Sequence, residues 1–177
     1  TIAEDVVSEG GFTEFTIPEF RTYAIVDLDA SPQGRVASVR AEKNFALTAD
    51  PDAPQWRGAP AVSISTGPFA NSLPFGTTLV RSRWTADSLY LLYVCPYASL
   101  SLKPNPATDR ETPQLWEWDV AEAFIGADFE NIAQYREYQV SPQSEWVDLD
   151  IDVVNPKPNG GMGWNSGFEV KARIDAA

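Results

Sequence analysis

Two tryptophans and three acidic residues fall within seven positions of the segment QLWEWDVAEAFIG: Trp116, Glu117, Trp118, Asp119 and Glu122. An indole offers a flat apolar surface on which the C–H face of a sugar ring can lie, and neighbouring carboxylates accept hydrogen bonds from the sugar hydroxyls. Such a site needs neither an imidazole nor a metal ion. The same residues admit blander roles. Tryptophans two apart share one face of an extended segment and can pack into a core, and the carboxylates can be a solvated strand end. A carboxylate pair near Trp116 could also supply the acid and base of a glycoside hydrolase, whose stereochemistry depends on a separation in space that spacing along the chain does not give.

Other chemistry is excluded by what the chain lacks. With no histidine in the sequence, Ser-His and Cys-His nucleophile pairs and imidazole-ligated metal or haem sites are absent, and Met162 is the lone thioether. Cys95 is the single cysteine, so no disulfide within the chain or Cys-x-x-Cys knuckle forms, and its setting LLYVCPY reads as a buried strand thiol. Lys and Arg number 13 against 25 Asp and Glu, a net charge of −12 that repels nucleic acid and anionic membrane surfaces. Asp148, Asp150 and Asp152 alternate along one strand and, with Asp50 and Asp52, could give oxygen ligands to a structural calcium, although no EF-hand spacing is present. A solvated strand face that discourages edge pairing is the competing reading. Arg81 and Arg83 offset part of the negative charge, and no glycine-rich loop opens a helix beside them to cradle a phosphate.

The elements that must position these residues are short. Fourteen prolines and 11 glycines punctuate the 177 residues in turn signals such as SPQG, DPDAP, LPFG and NPKPNGG. Between them, 23–28, 61–65, 77–84, 88–94, 119–125, 135–140, 146–154 and 168–174 carry strand chemistry. This pattern predicts an all-β sandwich, jelly-roll-like or immunoglobulin-like, over 21–177, with 1–20 as an arm or lead-in strand. Val147, Leu149, Ile151 and Val153 alternate with the aspartates, a half-buried pattern, whereas 89–94 is continuously apolar and predicts a central strand covered on both faces. Only 128–133 has composition suited to a turn or two of helix. The sequence begins at Thr1 and holds no apolar stretch near the roughly 18 residues of a membrane span, and no signal peptide is visible in it.

The ordered blocks APQW, TLVRSRWTADSLYLLYV, QLWEWDVAEAFIG and YREYQVSPQSEWVDLDID resemble the family 9 and family 9-like carbohydrate-binding modules over about 45–174. The resemblance implies a non-catalytic β-sandwich that holds an oligo- or polysaccharide at aromatic side chains, often as an appendage of secreted or periplasmic proteins of xylan breakdown and other carbohydrate catabolism. It places Trp116 as the stacking residue, Glu122 as a carboxylate that hydrogen-bonds sugar hydroxyls, and Asp119 and Glu117 as further acidic residues of the same block, with Trp118 beside them. Gln139 stands where the best-known members carry an arginine, and their late second stacking tryptophan has no counterpart here. Trp146 or Trp164 takes its place, or the site is completed by residues outside this chain, or it is incomplete. Without the family's last strands, 168–174 would present an unpaired edge, which predicts a fragment completed by a second polypeptide or a neighbouring copy.

Overall fold

The computed structural model describes residues 4–9, 12–16, 36–65, 76–126, 128 and 130–175. Nine strands are described: β1 Glu4–Glu9, β2 Phe12–Thr16, β3 Ser38–Arg40, β4 Val62–Ile64, β5 Thr78–Trp84, β6 Leu89–Val94, β7 Ala121–Ile125, β8 Gln134–Val140 and β9 Trp146–Asp152. No α-helix occurs among the described residues, only 3-10 turns at Pro54–Trp56, Leu115–Glu117 and Pro158–Gly161. No helix there is long and apolar enough to cross a membrane. The fold is all-β and sandwich-like, as the turn punctuation predicts. The lead-in segment contributes an antiparallel pair, β1 with β2; the predicted strand at 23–28 lies outside the described residues.

One sheet is organised around β5. Its far edge is covered along its length by β6, while the other edge is shared: β4 pairs antiparallel with the Thr78 to Val80 half and β3 parallel with the Ser82 to Trp84 half. Ser82, 2% exposed, donates through Oγ to Ser38 Oγ at 2.8 Å, so the polar residue inside β5 has a partner where β3 joins. Trp56 and Ala53 pack on Leu92 from above, with Phe45 stacked on Tyr90 at 3.9 Å between ring centroids.

The second sheet has the order β7-β8-β9, antiparallel throughout. Val147 and Leu149 of β9 pack against Leu115, with Val120, Ile151 and Met162 around them. Leu115 and Val147 are fully enclosed, and burying a side chain of that size is worth about 2 kcal/mol. The Tyr93 hydroxyl of β6 donates to the Glu122 carbonyl of β7 at 2.9 Å, a link from the first sheet to the second.

Several expectations are corrected. β6 pairs only with β5 among the described residues, and of its side chains only Leu92 is buried, so this apolar run is an edge strand. Cys95 is exposed one residue beyond the end of β6, because the strand stops before Pro96. The aspartate face of β9 is covered: Asp148, Asp150 and Asp152 are at most 9% exposed. The described part of the predicted helix, 128 and 130–133, is not helical: the Asp128 carboxylate takes the Glu130 N–H at 3.0 Å in competition with helical bonding. Segment 168–174 is no strand; Ala172 N–H goes to Ser144 Oγ at 3.0 Å and Phe168 packs edge-on to Tyr138 and Trp146. The strand edge expected at 168–174 is therefore not formed there.

Candidate functional site

Gln114 adopts the left-handed conformation and turns the chain into the 3-10 turn at Leu115–Glu117. With three residues per turn, positions 115 and 118 fall on one side and 116 on another. Leu115 is accordingly fully buried, Trp118 half-buried and Trp116 50% exposed. The two indoles thus do not share a face, because the segment between them is coiled and not extended. The turn is held from both ends: Glu117 N–H donates to Gln114 O and Trp118 N–H to Leu115 O, each at 3.1 Å. Asp119 and Ser101 exchange bonds, Asp119 N–H to Ser101 O at 3.0 Å and Ser101 N–H to Asp119 Oδ2 at 2.8 Å. Gln114 Nε2 reaches Glu117 Oε1 at 3.3 Å. An exposed indole therefore stands on a fixed turn with two exposed carboxylates, Glu117 and Asp119, beside it.

Glu122, half-buried, and Gln139, enclosed, form a second group. They face each other in the β7-β8 ladder, and Gln139 Nε2 donates to Glu137 Oε1, two residues along the same face, at 2.5 Å. Gln139 is fully enclosed, and its Oε1 has no partner among the described residues. Burial raises the Glu122 carboxyl above its ordinary range and the Glu137 charge raises it further; burial raises Glu137 as well, partly offset by the Gln139 bond. Burial, with the nearby Cys95 and Glu122, pushes the Tyr93 hydroxyl up to about 12, so it stays a donor at all physiological pH values. The Trp116 turn lies beside β8, but the site predicted as one unit divides into an exposed part, Trp116, Glu117 and Asp119, and a more covered part, the half-buried Glu122 and the enclosed Gln139. Sequence reasoning passed over Glu137, although its i, i+2 spacing to Gln139 in YREYQV marks a shared strand face.

Trp146 and Trp164, the alternative platforms, are half-buried in an edge-to-face cluster under the C-terminal segment. Trp164 meets Tyr138 at 6.1 Å and Trp146 meets Phe168 at 6.5 Å, while Arg136 lies 4.7 Å over the Trp164 ring. These contacts occupy the rings with packing. The carboxylates considered for calcium are likewise engaged. Asp150 pairs with Arg136 and Lys157, Asp152 takes Gln134 Nε2 and two backbone N–H groups, and Asp148 takes Ser166 N–H at 2.8 Å together with the Ser166 hydroxyl. Asp50 takes the Asp52 N–H and lies 3.7 Å from Arg173. The partners of Asp50, Asp148, Asp150 and Asp152 are donors and cations, and no group of three or more acidic or thiol side chains gathers as metal ligands among the described residues.

Glu111 had no signal in the sequence. Burial, followed by hydrogen bonding and repulsion from Asp148, pushes its carboxyl from the ordinary 4.5 up to about 7. A protonated Glu111 donates to the Asp148 carboxylate, whose Oδ1 is enclosed and has no N–H or hydroxyl donor among the described residues. A folded-state value above the unfolded one means that the protonated pair's contribution is complete below about 4.5 and is lost as pH rises through about 7. The urea midpoint of the protein is expected to fall between about pH 5 and about pH 8, and Glu111→Gln, a permanent donor, to reduce that fall. An equal slope in the variant would show that the pair holds no proton.

Comparison of the chain with protein-family models, with curated proteins and with solved structures gives no match.

Proposed function

We propose that this chain is a non-catalytic carbohydrate-binding module in which a sugar ring of an oligo- or polysaccharide stacks on Trp116, with hydroxyls bonded to Glu117 and Asp119. The observation that carries the reading is an indole half exposed on a turn fixed by a fully buried neighbour. A ring carried on a backbone turn that is already fixed requires little ordering of the chain when a ligand covers it. Glu122 of β7 and Gln139 and Glu137 of β8 offer further polar groups on the neighbouring paired strands. The resemblance to family 9 modules supports the same class of ligand and points to xylan breakdown by secreted or periplasmic proteins. A hydrolase is the competing reading, favoured by two raised carboxyls, Glu122 of β7 and Glu137 of β8, on one face of the paired strands.

Titration with xylo- and cello-oligosaccharides, followed by tryptophan fluorescence and by reducing-end release, separates the two. Saturable binding with no new reducing ends is expected. Turnover that disappears in Glu122→Gln would replace the module with a hydrolase, and neither binding nor turnover would remove both.

A further inference from the structure

A cavity of about 310 Å³ opens beside the Pro54–Trp56 turn, its walls including Asp52, Trp56, Arg57, Gly58 and Arg81. Three of these residues bring nitrogen donors. Trp56 is 2% exposed, and its indole N–H has no acceptor among the described residues. A buried donor left in that state is uncommon and costly, and it lies in a ring that forms part of the cavity wall. Arg81 Nη1 is fixed to the Pro51 carbonyl at 2.8 Å, which holds its guanidinium at the wall. Arg57 is exposed and only its backbone is bonded, N–H to Pro54 O and carbonyl from Arg83, so its guanidinium has no partner among the described residues. Asp52 is the one acidic wall, and Arg173 faces it from outside the cavity. Two guanidinium groups against one carboxylate form a cationic pocket on a chain of net charge −12.

Guanidinium groups match planar carboxylates in two-pronged bonds. A phosphate dianion would be repelled by Asp52, whereas a ligand with both a carboxylate and hydroxyls uses Asp52 as an acceptor. The volume equals that of about ten waters at roughly 30 Å³ each, room for one pyranose ring. We propose that this cavity binds a hexuronic acid, its carboxylate on Arg57 and Arg81 and a hydroxyl donated to Asp52, with the Trp56 ring as part of the wall. The choice of a sugar acid rests on the carbohydrate-binding reading, but the cavity shares no residue with the Trp116 turn, so the two can fail separately.

The test uses the full chain with glucuronate, glucose, acetate and inorganic phosphate as probes, read by calorimetry and by the Trp56 indole N–H resonance. Glucuronate alone is expected to shift that resonance. Arg57→Gln is expected to weaken glucuronate binding about tenfold or more, the scale of a lost charge-assisted hydrogen bond, and Trp116→Ala to leave it unchanged. Arg81→Lys, which keeps the charge and loses the fork, is expected to weaken it too. An unmoved Trp56 resonance, an unaffected Arg57→Gln variant, or an equal response to acetate or phosphate would overturn the proposal. Glucuronate binding lost in Trp116→Ala and kept in Arg57→Gln would place it at the other site and overturn it as well. Neutral xylo-oligosaccharide binding without a glucuronate response sinks the cavity alone, and the reverse sinks the Trp116 platform alone.

Discussion

Gly161→Ala is expected to destabilise the protein by about 3 kcal/mol or more, the sum of a left-handed backbone penalty and an overpacking penalty. Gly161 is buried at the end of the Pro158–Gly161 turn with φ +90°, and a Cβ there would meet the Asp150 backbone carbon and nitrogen at 2.8 Å and its carbonyl oxygen closer still. Those atoms belong to the middle of β9. The strand cannot retreat, because Val147 and Leu149 are packed in the core on one face and the Asp150 carboxylate is tied to Arg136 and Lys157 on the other. Gly160 is the control. Its φ is +64° but nothing lies within 4 Å of the added carbon, so Gly160→Ala bears only the backbone term, about 1 kcal/mol. Urea midpoints of the two variants measure the difference. Equal midpoints would show that the turn does not press on β9.

That close approach also explains why the aspartate face of β9 misleads a reader of the sequence. Alternation of Val147, Leu149 and Ile151 with Asp148, Asp150 and Asp152 ordinarily means apolar side in and charged side out. Here the chain after β9 folds back over the charged face, Gly161 touching the Asp150 backbone and Ser166 capping Asp148, so both faces are covered and each aspartate acquires a donor or cation. Period-2 patterning reports which residues differ in polarity. It does not report whether a later segment supplies partners for the polar ones, and Ser166, Lys157 and Arg136 are distant from one another in sequence. Segment 168–174 fails as a strand for a related reason: Phe168 is used by aromatic contacts with Tyr138 of β8 and Trp146 of β9, and the Ala172 N–H by Ser144 Oγ, instead of a ladder.

Where turns decide the outcome, the sequence is readable. β5, β7, β8 and β9 fall within a residue or two of their expected starts because proline and glycine punctuation limits each run. Glu122 and Gln139 are legible as members of adjacent strands, and their pairing follows once the β7-β8 register is set. The Trp116 turn is less so. Nothing in QLWEWD distinguishes an extended entrance from a 3-10 turn, and that choice separates the exposed Trp116 from the half-buried Trp118. The carboxyl of Glu111 and the cavity beside Trp56 depend on contacts between residues dozens of positions apart, which no local pattern encodes.

Trp116→Ala is expected to reduce oligosaccharide affinity by about 30-fold or more, the roughly 2 kcal/mol or greater cost of truncating an aromatic hot spot. The loss has two sources: contact between the ring and the apolar face of the sugar, and exclusion of water from the hydroxyl bonds to Glu117 and Asp119. Stability should move by no more than about 0.5 kcal/mol, as for a surface substitution, because Trp116 is 50% exposed and has no ring partner among the described residues. Leu115→Ala behaves in the opposite order. Its side chain is fully enclosed against Val147 and Leu149, so the truncation costs about 2–5 kcal/mol, and binding falls only as far as the turn loosens. Calorimetric titration beside urea unfolding therefore assigns each residue its role. If Trp116→Ala lowers the unfolding midpoint as much as Leu115→Ala and leaves oligosaccharide binding intact, the indole is a packing residue and the sugar platform lies elsewhere. If affinity collapses while the midpoint holds, the half-exposed ring is the binding surface, with Leu115 the buried anchor that keeps it in place.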